Sequence, residues 1–325
     1  FNMLAPTLLK IITKPPKQFL CEERMRYGVA RQKQLEIIRA GRGFIAALDQ
    51  SGGSTPKALT AYGVRTDDYI NDEQMYDQIH EMRIRIVCAP DFTSNKVIGA
   101  ILFENTMDRT ICGLPSPKYL WEDRGVVPFL KVDKGLLPLS DGVQLMKPIS
   151  NLEVLLKRAS DLGVFGTKMR SLIDEANPQG IQKIIAQQFD LAAKISNHGL
   201  MPIIEPEISI NISDKTDAED MLKATLNEAL DALPVDQYVM LKLTLPENAN
   251  HYRTIVEHPN VLSTVALSGG YNRKEANYRL SQNSGMIASF SRALTEGLST
   301  HQNTASFNAV LSETINSIYQ ASISD

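Results

Sequence analysis

Short apolar runs ending in charged or small residues recur along the chain: FIAALD (44–49), AILFEN (100–105), VPFLKVD (127–133), FGTKMR (165–170), PIIEPE (202–207), YVMLKLT (238–244), TVALSGG (264–270) and IASFSRA (287–293). Between them lie stretches with helical spacing and good helix formers, including NLEVLLKRASDLG, GIQKIIAQQFDLAAKISNHG and TDAEDMLKATLNEALDALP, most followed by a Gly or Pro stop. Strands alternating with helices predict an α/β fold, and eight strands are the number that closes a TIM (β/α)8 barrel. Lys168, Glu205 and Lys242 follow one another at 37-residue steps, one strand–helix unit each, with no sequence repeat. A doubly wound open sheet shares this alternation, so the strand count carries the choice. GRGFIAALD (41–49) has its glycines before the strand, whereas a dinucleotide fingerprint needs them after it. The expected organisation is a single barrel domain over residues 26–325. Residues 1–25, whose first twenty hold three lysines and no acid, read as an arm packed on the barrel or on a neighbouring subunit, or as a targeting remnant.

Composition narrows the function classes. With 34 basic against 37 acidic side chains and no segregated basic block in the body, the chain offers no broad nucleic-acid surface, so any anion site is local. The apolar run near the amino terminus is far shorter than the ~20 residues a membrane span needs. Cys21, Cys88 and Cys112 have no CxxC spacing and are odd in number, which argues against a disulfide scaffold or structural zinc and fits a reducing compartment, the cytoplasm first and an organelle if residues 1–25 are a targeting remnant. Among His80, His198, His251, His258 and His301 there is no HExxH or other close metal spacing, so neither a metal nor an organic cofactor is expected.

The carboxyl ends of barrel strands converge on one mouth, where chemistry is placed. Here they are loaded with charge: Asp49, Glu104, Lys131 and Asp133, Lys168 and Arg170, Glu205 and Glu207, and Lys242. Taken singly, such a charge is an ordinary rim residue. Lysine inside an apolar run is harder to dismiss, because an unpaired buried ammonium costs several kcal/mol. A buried lysine beside another cation loses its proton more readily, and the free amine can attack a ketone to give an iminium, the electron sink that lets a neighbouring carbon–carbon bond break. Glu205 is placed to shuttle the protons. Spacing ranks Lys242 and Lys168 equally as the nucleophile, with Lys131 third. Two anion cradles are candidates, DQSGGS (49–54) after the first strand and LSGG (267–270) with SFSR (289–292) after the seventh and eighth, where Arg292 adds a charged donor. Each alone reads first as an ordinary tight turn; two across one mouth suit a substrate with a phosphate at each end.

Together GFIAALDQSGGSTPKAL, FLKVDKG, FGTKMR, PIIEPE, VMLKLT, LSGG and SFSRAL resemble class I fructose-bisphosphate aldolase, in order, over residues 35–322, and the shorter branch common in bacteria more than the vertebrate enzymes. The resemblance implies reversible cleavage of fructose 1,6-bisphosphate to dihydroxyacetone phosphate and glyceraldehyde 3-phosphate, in glycolysis or gluconeogenesis, by a homo-oligomer. It assigns the Schiff base to Lys242, the C4 hydroxyl proton to Asp49, the proton shuttle to Glu205, the cation beside the nucleophile to Lys168, and to Glu207 the ordering of the lysines. Ser51, Ser54, Lys131 and Arg170 match the site of one phosphate. Ser268, Gly269, Gly270 and Arg292 match that of the ketose C1 phosphate, with Ser291 standing where the family has glycine. Gln50 replaces an acid and Met169 a tryptophan. The family's C-terminal tyrosine role is not carried onto Tyr319, which falls in the last helix. Two rivals remain: a Schiff-base enzyme for a monophosphate, such as a transaldolase, and an aldolase-like scaffold that binds partners through the basic arm.

Overall fold

Period-two alternation sorts the strand residues into two apolar sets. Ile45, Ala47, Val127, Phe129, Ile203, Met240, Val265 and Ile287 form an inner cluster. Their neighbours Phe44, Ala46, Leu48, Leu130, Ile204, Leu241, Leu243 and Ala266 join an outer cluster shared with the surrounding helices. The computed structural model, which describes residues 17–324 with side chains from Ala30 onward, shows why. Strands β1 (Phe44–Leu48), β2 (Val97–Leu102), β3 (Val127–Lys131), β4 (Gly166–Ile173), β5 (Met201–Ile208), β6 (Val239–Thr244), β7 (Val261–Leu267) and β8 (Met286–Ala288) lie side by side in chain order, every neighbouring pair parallel. The Ala47 amide donates to the Phe290 carbonyl at 3.1 Å across the remaining seam, so the eight strands make the expected, nearly closed barrel.

Two short pieces lie outside the alternation: an antiparallel ribbon of Thr110–Ile111 with Leu114–Pro115, and Val143–Gln144 paired antiparallel to the end of β4. Of the expected arm, residues 1–16 lie outside the described residues. From Lys17 the chain is helical to Ala40, across the expected boundary at residue 25, with Gly28 non-helical inside it. Leu35 and Ile38 of this helix join the inner cluster, and Arg31 donates to the carbonyls of Val164 and Phe165 just before β4, so the helix lies across the amino end of the barrel.

Inside the barrel, room is scarce near β3 to β5. A Cβ on Gly166 would stand 2.3 Å from the Met201 carbonyl oxygen and 3.0 Å from Phe129 Cδ1. Backbone cannot yield as a flexible side chain can, so Gly166→Ala is expected to cost about 3 kcal/mol. At ~2–4 °C per kcal/mol for chains of this size, a thermal melt should show a Tm lowered by roughly 6–12 °C.

Candidate active site

Four inward-facing strand-end groups meet in one buried network. Lys168 Nζ stands 2.7 Å from Asp49 Oδ2 and 2.9 Å from Glu205 Oε2, and Lys242 Nζ stands 3.1 Å from Glu205 Oε1. Glu205 thus spans both lysine nitrogens with its two oxygens. Asp49, Lys168, Glu205 and Lys242 are all at least nine-tenths buried, a cost their mutual pairing offsets. Burial alone would raise the Asp49 carboxyl, but the charges of Lys168, Lys242 and Lys131 outweigh it and hold Asp49 well below the usual carboxylate range. Burial would likewise push the Lys168 ammonium down; Asp49, Glu205 and Asp133 reverse this and hold it well above the usual lysine range. Lys168 is therefore a fixed cation, locked by two carboxylates, while Lys242 touches one. This distinguishes two lysines that spacing left equal.

The network is held from behind by a residue that sequence reasoning missed. In the helix Pro178–Asn197, capped by the Asn177 side chain on the Gly180 amide, Ile181, Ile184, Ile185, Gln188, Ala192 and Ile195 form the buried stripe. Gln188 is the polar member, and its Oε1 accepts from the Glu205 amide at 2.9 Å. The β5–β6 ladder pairs Ile203 with Met240 and Ile204 with Leu241 and then stops, so the strands part at the level where Glu205 and Lys242 face each other. Past this gap Thr244 Oγ1 accepts from the Ile208 amide and donates to its carbonyl, both at 2.9 Å.

Farther out, Lys131 lies beside Lys168 in the β3–β4 register and its ammonium donates to Asp133 Oδ1 at 2.6 Å. Arg170 donates through Nε to Glu207. The carboxylate expected to order the lysines is thus engaged by an arginine: Glu207 stands one strand period past Glu205, at the height Arg170 reaches, and Glu205 contacts the lysines. Ser54 Oγ folds back on its own loop, accepting from the Ser51 amide at 3.0 Å and donating to the Ser51 carbonyl at 2.8 Å. Glu104 does not join the group; it starts a one-turn helix and pairs with Lys134 and Arg158.

Across the mouth, Gly269 (φ 62°) and Gly270 (φ 130°) bring the loop after β7 against Ile210 and Arg292: a Cβ on Gly270 would lie 3.6 Å from an Arg292 guanidinium nitrogen. Ser268 is buried, and Arg292, exposed and in no salt bridge among the described residues, sits above these glycines.

A third layer, also missed from sequence, ties the two sides together. Arg83 is fully buried; its guanidinium donates to Thr106 Oγ1 at 2.6 Å, to the Gln50 carbonyl at 2.6 Å and to Gln50 Oε1 at 3.1 Å. Burial pushes it down to about 10, against the pull of Asp49. The Gln50 amide then donates to Ser291 Oγ at 2.7 Å. Gln50 and Ser291, two separate departures from the family pattern, are thus partners, one following Asp49 and the other preceding Arg292. The available signal was a charge on the buried stripe Met75, Ile79, Met82, Ile86 of the Asp72–Val87 helix. Ser291→Gly is expected to leave the Gln50 amide with only its long contact to the Ala47 carbonyl, at 3.4 Å, a loss of about 1 kcal/mol that should be read as a KM for the substrate raised about fivefold with kcat nearly unchanged.

Tyr319 is remote from all of this. It lines a cavity of about 550 Å³ at the amino end of the barrel, with Arg39, Leu262, Thr264 and Ile287. Among the described residues no helix is long and apolar enough to cross a membrane.

A family model described as fructose-bisphosphate aldolase class-I matches residues 30–249. The fructose-bisphosphate aldolase class 1 of Synechocystis sp. is 56% identical over 292 residues, covering 90% of this chain and 97% of its own. Among solved structures, a fructose-bisphosphate aldolase from Plasmodium falciparum, in ternary complex with TRAP and a small molecule inhibitor, superposes with a TM-score of 0.74 at 19% identity, covering 97% of this chain and 98% of its own. A Corynebacterium glutamicum protein gives 0.51 at 14% identity, covering 94% and 97%. At these identities the two structures speak to the fold alone.

Proposed function

The chain belongs to the class I fructose-bisphosphate aldolase family, and from that premise we propose that Lys242 forms the Schiff base, Glu205 carries its protons and Asp49 takes the proton of the C4 hydroxyl. Enzymes of this class are metal-independent lyases that cleave fructose 1,6-bisphosphate reversibly. The observation that carries the residue assignment is the sharing of Glu205: one oxygen on a lysine fixed as a cation, the other on Lys242. The Lys242 amine adds to the C2 ketone, and Glu205 hands a proton to the leaving hydroxyl as carbinolamine becomes iminium. Asp49 removes the C4 hydroxyl proton; the C3–C4 bond breaks, its electrons pass into the iminium, and glyceraldehyde 3-phosphate leaves. The remaining enamine is protonated at C3, and water releases dihydroxyacetone phosphate from Lys242. Lys168, beside Asp49, keeps that carboxylate charged and steadies the negative charge that develops on the C4 oxygen.

Ser268, Gly269, Gly270, Ser291 and Arg292 hold the C1 phosphate, and Ser51, Ser54, Lys131 and Arg170 the C6 phosphate. This two-cradle layout favours a bisphosphate over the monophosphate of a transaldolase. Family membership further supports a homo-oligomer working in the cytoplasm, with residues 26–325 as the catalytic domain and residues 1–25 as an accessory arm.

Borohydride reduction with dihydroxyacetone phosphate, followed by peptide mapping, tests the assignment. An adduct on Lys242 is expected, with turnover that persists in chelator. An adduct on Lys168 or Lys131, or none, would overturn it.

A further inference from the structure

On the flank of the barrel, away from the catalytic network, two thiols face each other. Cys88 caps the Asp72–Val87 helix, its amide donating to the Ile84 carbonyl. Cys112 and Gly113 are the two central residues of the Thr110–Pro115 ribbon turn, with φ of 49° and 82°. A two-residue turn with both φ values positive favours Asn, Asp or Gly at its first position, and a β-carbon there costs backbone energy. A cysteine occupies this strained place, and its Sγ lies 3.7 Å from Cys88 Sγ, both thiols being free. A polar chain backs the inner sulfur: the Tyr119 hydroxyl donates to Cys88 Sγ at 3.4 Å and Arg124 Nε donates to the Tyr119 oxygen at 3.1 Å.

We propose that Cys88 and Cys112 are a reversible dithiol–disulfide site whose oxidant is a small or protein disulfide. Cys112 is exposed and Cys88 half-buried, which fixes the order of events. The Cys112 thiolate attacks one sulfur of the incoming disulfide, forming a mixed disulfide and expelling the other sulfur as a thiolate. Cys88 loses its proton to solvent, its nascent thiolate steadied by the Tyr119 hydroxyl, and attacks Cys112 Sγ, expelling the second thiolate. The two cysteines give up two electrons and two protons, and the oxidant becomes two thiols. The sulfurs need approach from 3.7 Å to the ~2.05 Å of a disulfide, a movement within reach of a turn at the tip of a two-stranded ribbon. Burial pushes the Cys88 thiol up, which suits the second attacker rather than the first. The bond closes a segment between positions 24 apart, a length for which cross-linking restricts the unfolded chain appreciably.

The test treats the reduced full-length chain with oxidised glutathione and maps peptides after alkylation. Expected are a Cys88–Cys112 linkage, an intact mass lower by two hydrogens, a Tm raised by a few degrees and reversal by dithiothreitol. Cys88→Ser should stop at a glutathione adduct on Cys112 with no rise in Tm. Wild-type protein with glutathione left on Cys112 and Cys88 still open to alkylation, or with a bridge through Cys21, would overturn the proposal, and this mapping holds even if the variant fails to fold.

Discussion

Lys242→Met should lower kcat for bisphosphate cleavage by on the order of 10⁴-fold or more and abolish borohydride trapping, because no other amine in the network is free to attack a ketone. The fold should survive. Methionine nearly matches the lysine stem in volume, the site is 4% exposed, and Glu205 retains Lys168 as its counter-ion. Removing one partner of a buried ion pair normally destabilises, but Glu205 keeps its contact with Lys168, so the Tm of Lys242→Met is expected to fall by less than that of Lys168→Met, which strips Asp49 of its only direct counter-ion among the described residues. Lys168→Met makes the informative contrast. It would leave Asp49 and Glu205 without their shared cation, and one carboxylate would take up a proton to relieve the repulsion. That variant should lose both activity and several degrees of Tm. If Lys242→Met kept its turnover and trapped substrate on Lys168, the assignment of the two lysines would be reversed.

Asp49→Asn is expected to slow cleavage by about 10²–10⁴-fold, the usual range for removing one acid–base group. Its signature lies in what it preserves: with Lys242 and Glu205 intact, trapping of dihydroxyacetone phosphate should remain, since that half-reaction has no C4 hydroxyl. Loss of trapping together with cleavage would show Asp49 acting on the Schiff base itself. The depressed Asp49 carboxyl also has a definite sign in acid. A group whose folded pKa lies below its unfolded value adds stability that is complete above the unfolded value, near 3.8, and fades as pH falls toward the folded one. Asp49 therefore stays ionised through any working pH, and an acid limb in the wild-type rate must belong to another group. The stability difference between wild type and Asp49→Asn should narrow only below about pH 4.

The barrel and the inner ring were legible because each rests on local pattern. Eight apolar runs name the strands, and charges at the carboxyl ends of barrel strands converge on the mouth, with Glu104, which starts a helix and pairs with Lys134 and Arg158, the exception. The partners of those charges were not legible. Lys168 and Lys242 differ by which carboxylates reach them, and Asp49, Glu205 and Glu207 arrive from other strands at heights that spacing does not encode. Glu207 looks equivalent to Glu205 in sequence, yet one strand period moves it from the lysines to Arg170. Gln188 and Arg83 were missed because each hides on an otherwise apolar helix stripe, where one polar residue reads as a blemish until its target is known. The link between Gln50 and Ser291 spans 241 positions and joins two substitutions that appear unrelated in the chain. The facing thiols depend on a turn conformation that Cys112 would not ordinarily choose.

The packed barrel axis has a consequence for traffic. Phe129 and Phe165 meet edge to face with ring centroids 5.6 Å apart, and Leu35 and Ile38 belong to the same apolar cluster, so the axis is filled with side chains on the side away from the charged mouth. On the proposed assignment, the aldehyde fragment is held only by its phosphate while the ketose half is tethered to Lys242 by a covalent bond. The untethered aldehyde then departs first, and in the reverse direction the ketose must be seated before the aldehyde is admitted. The queue is thus imposed by the tether, and the packed axis leaves the mouth as the place where both fragments wait.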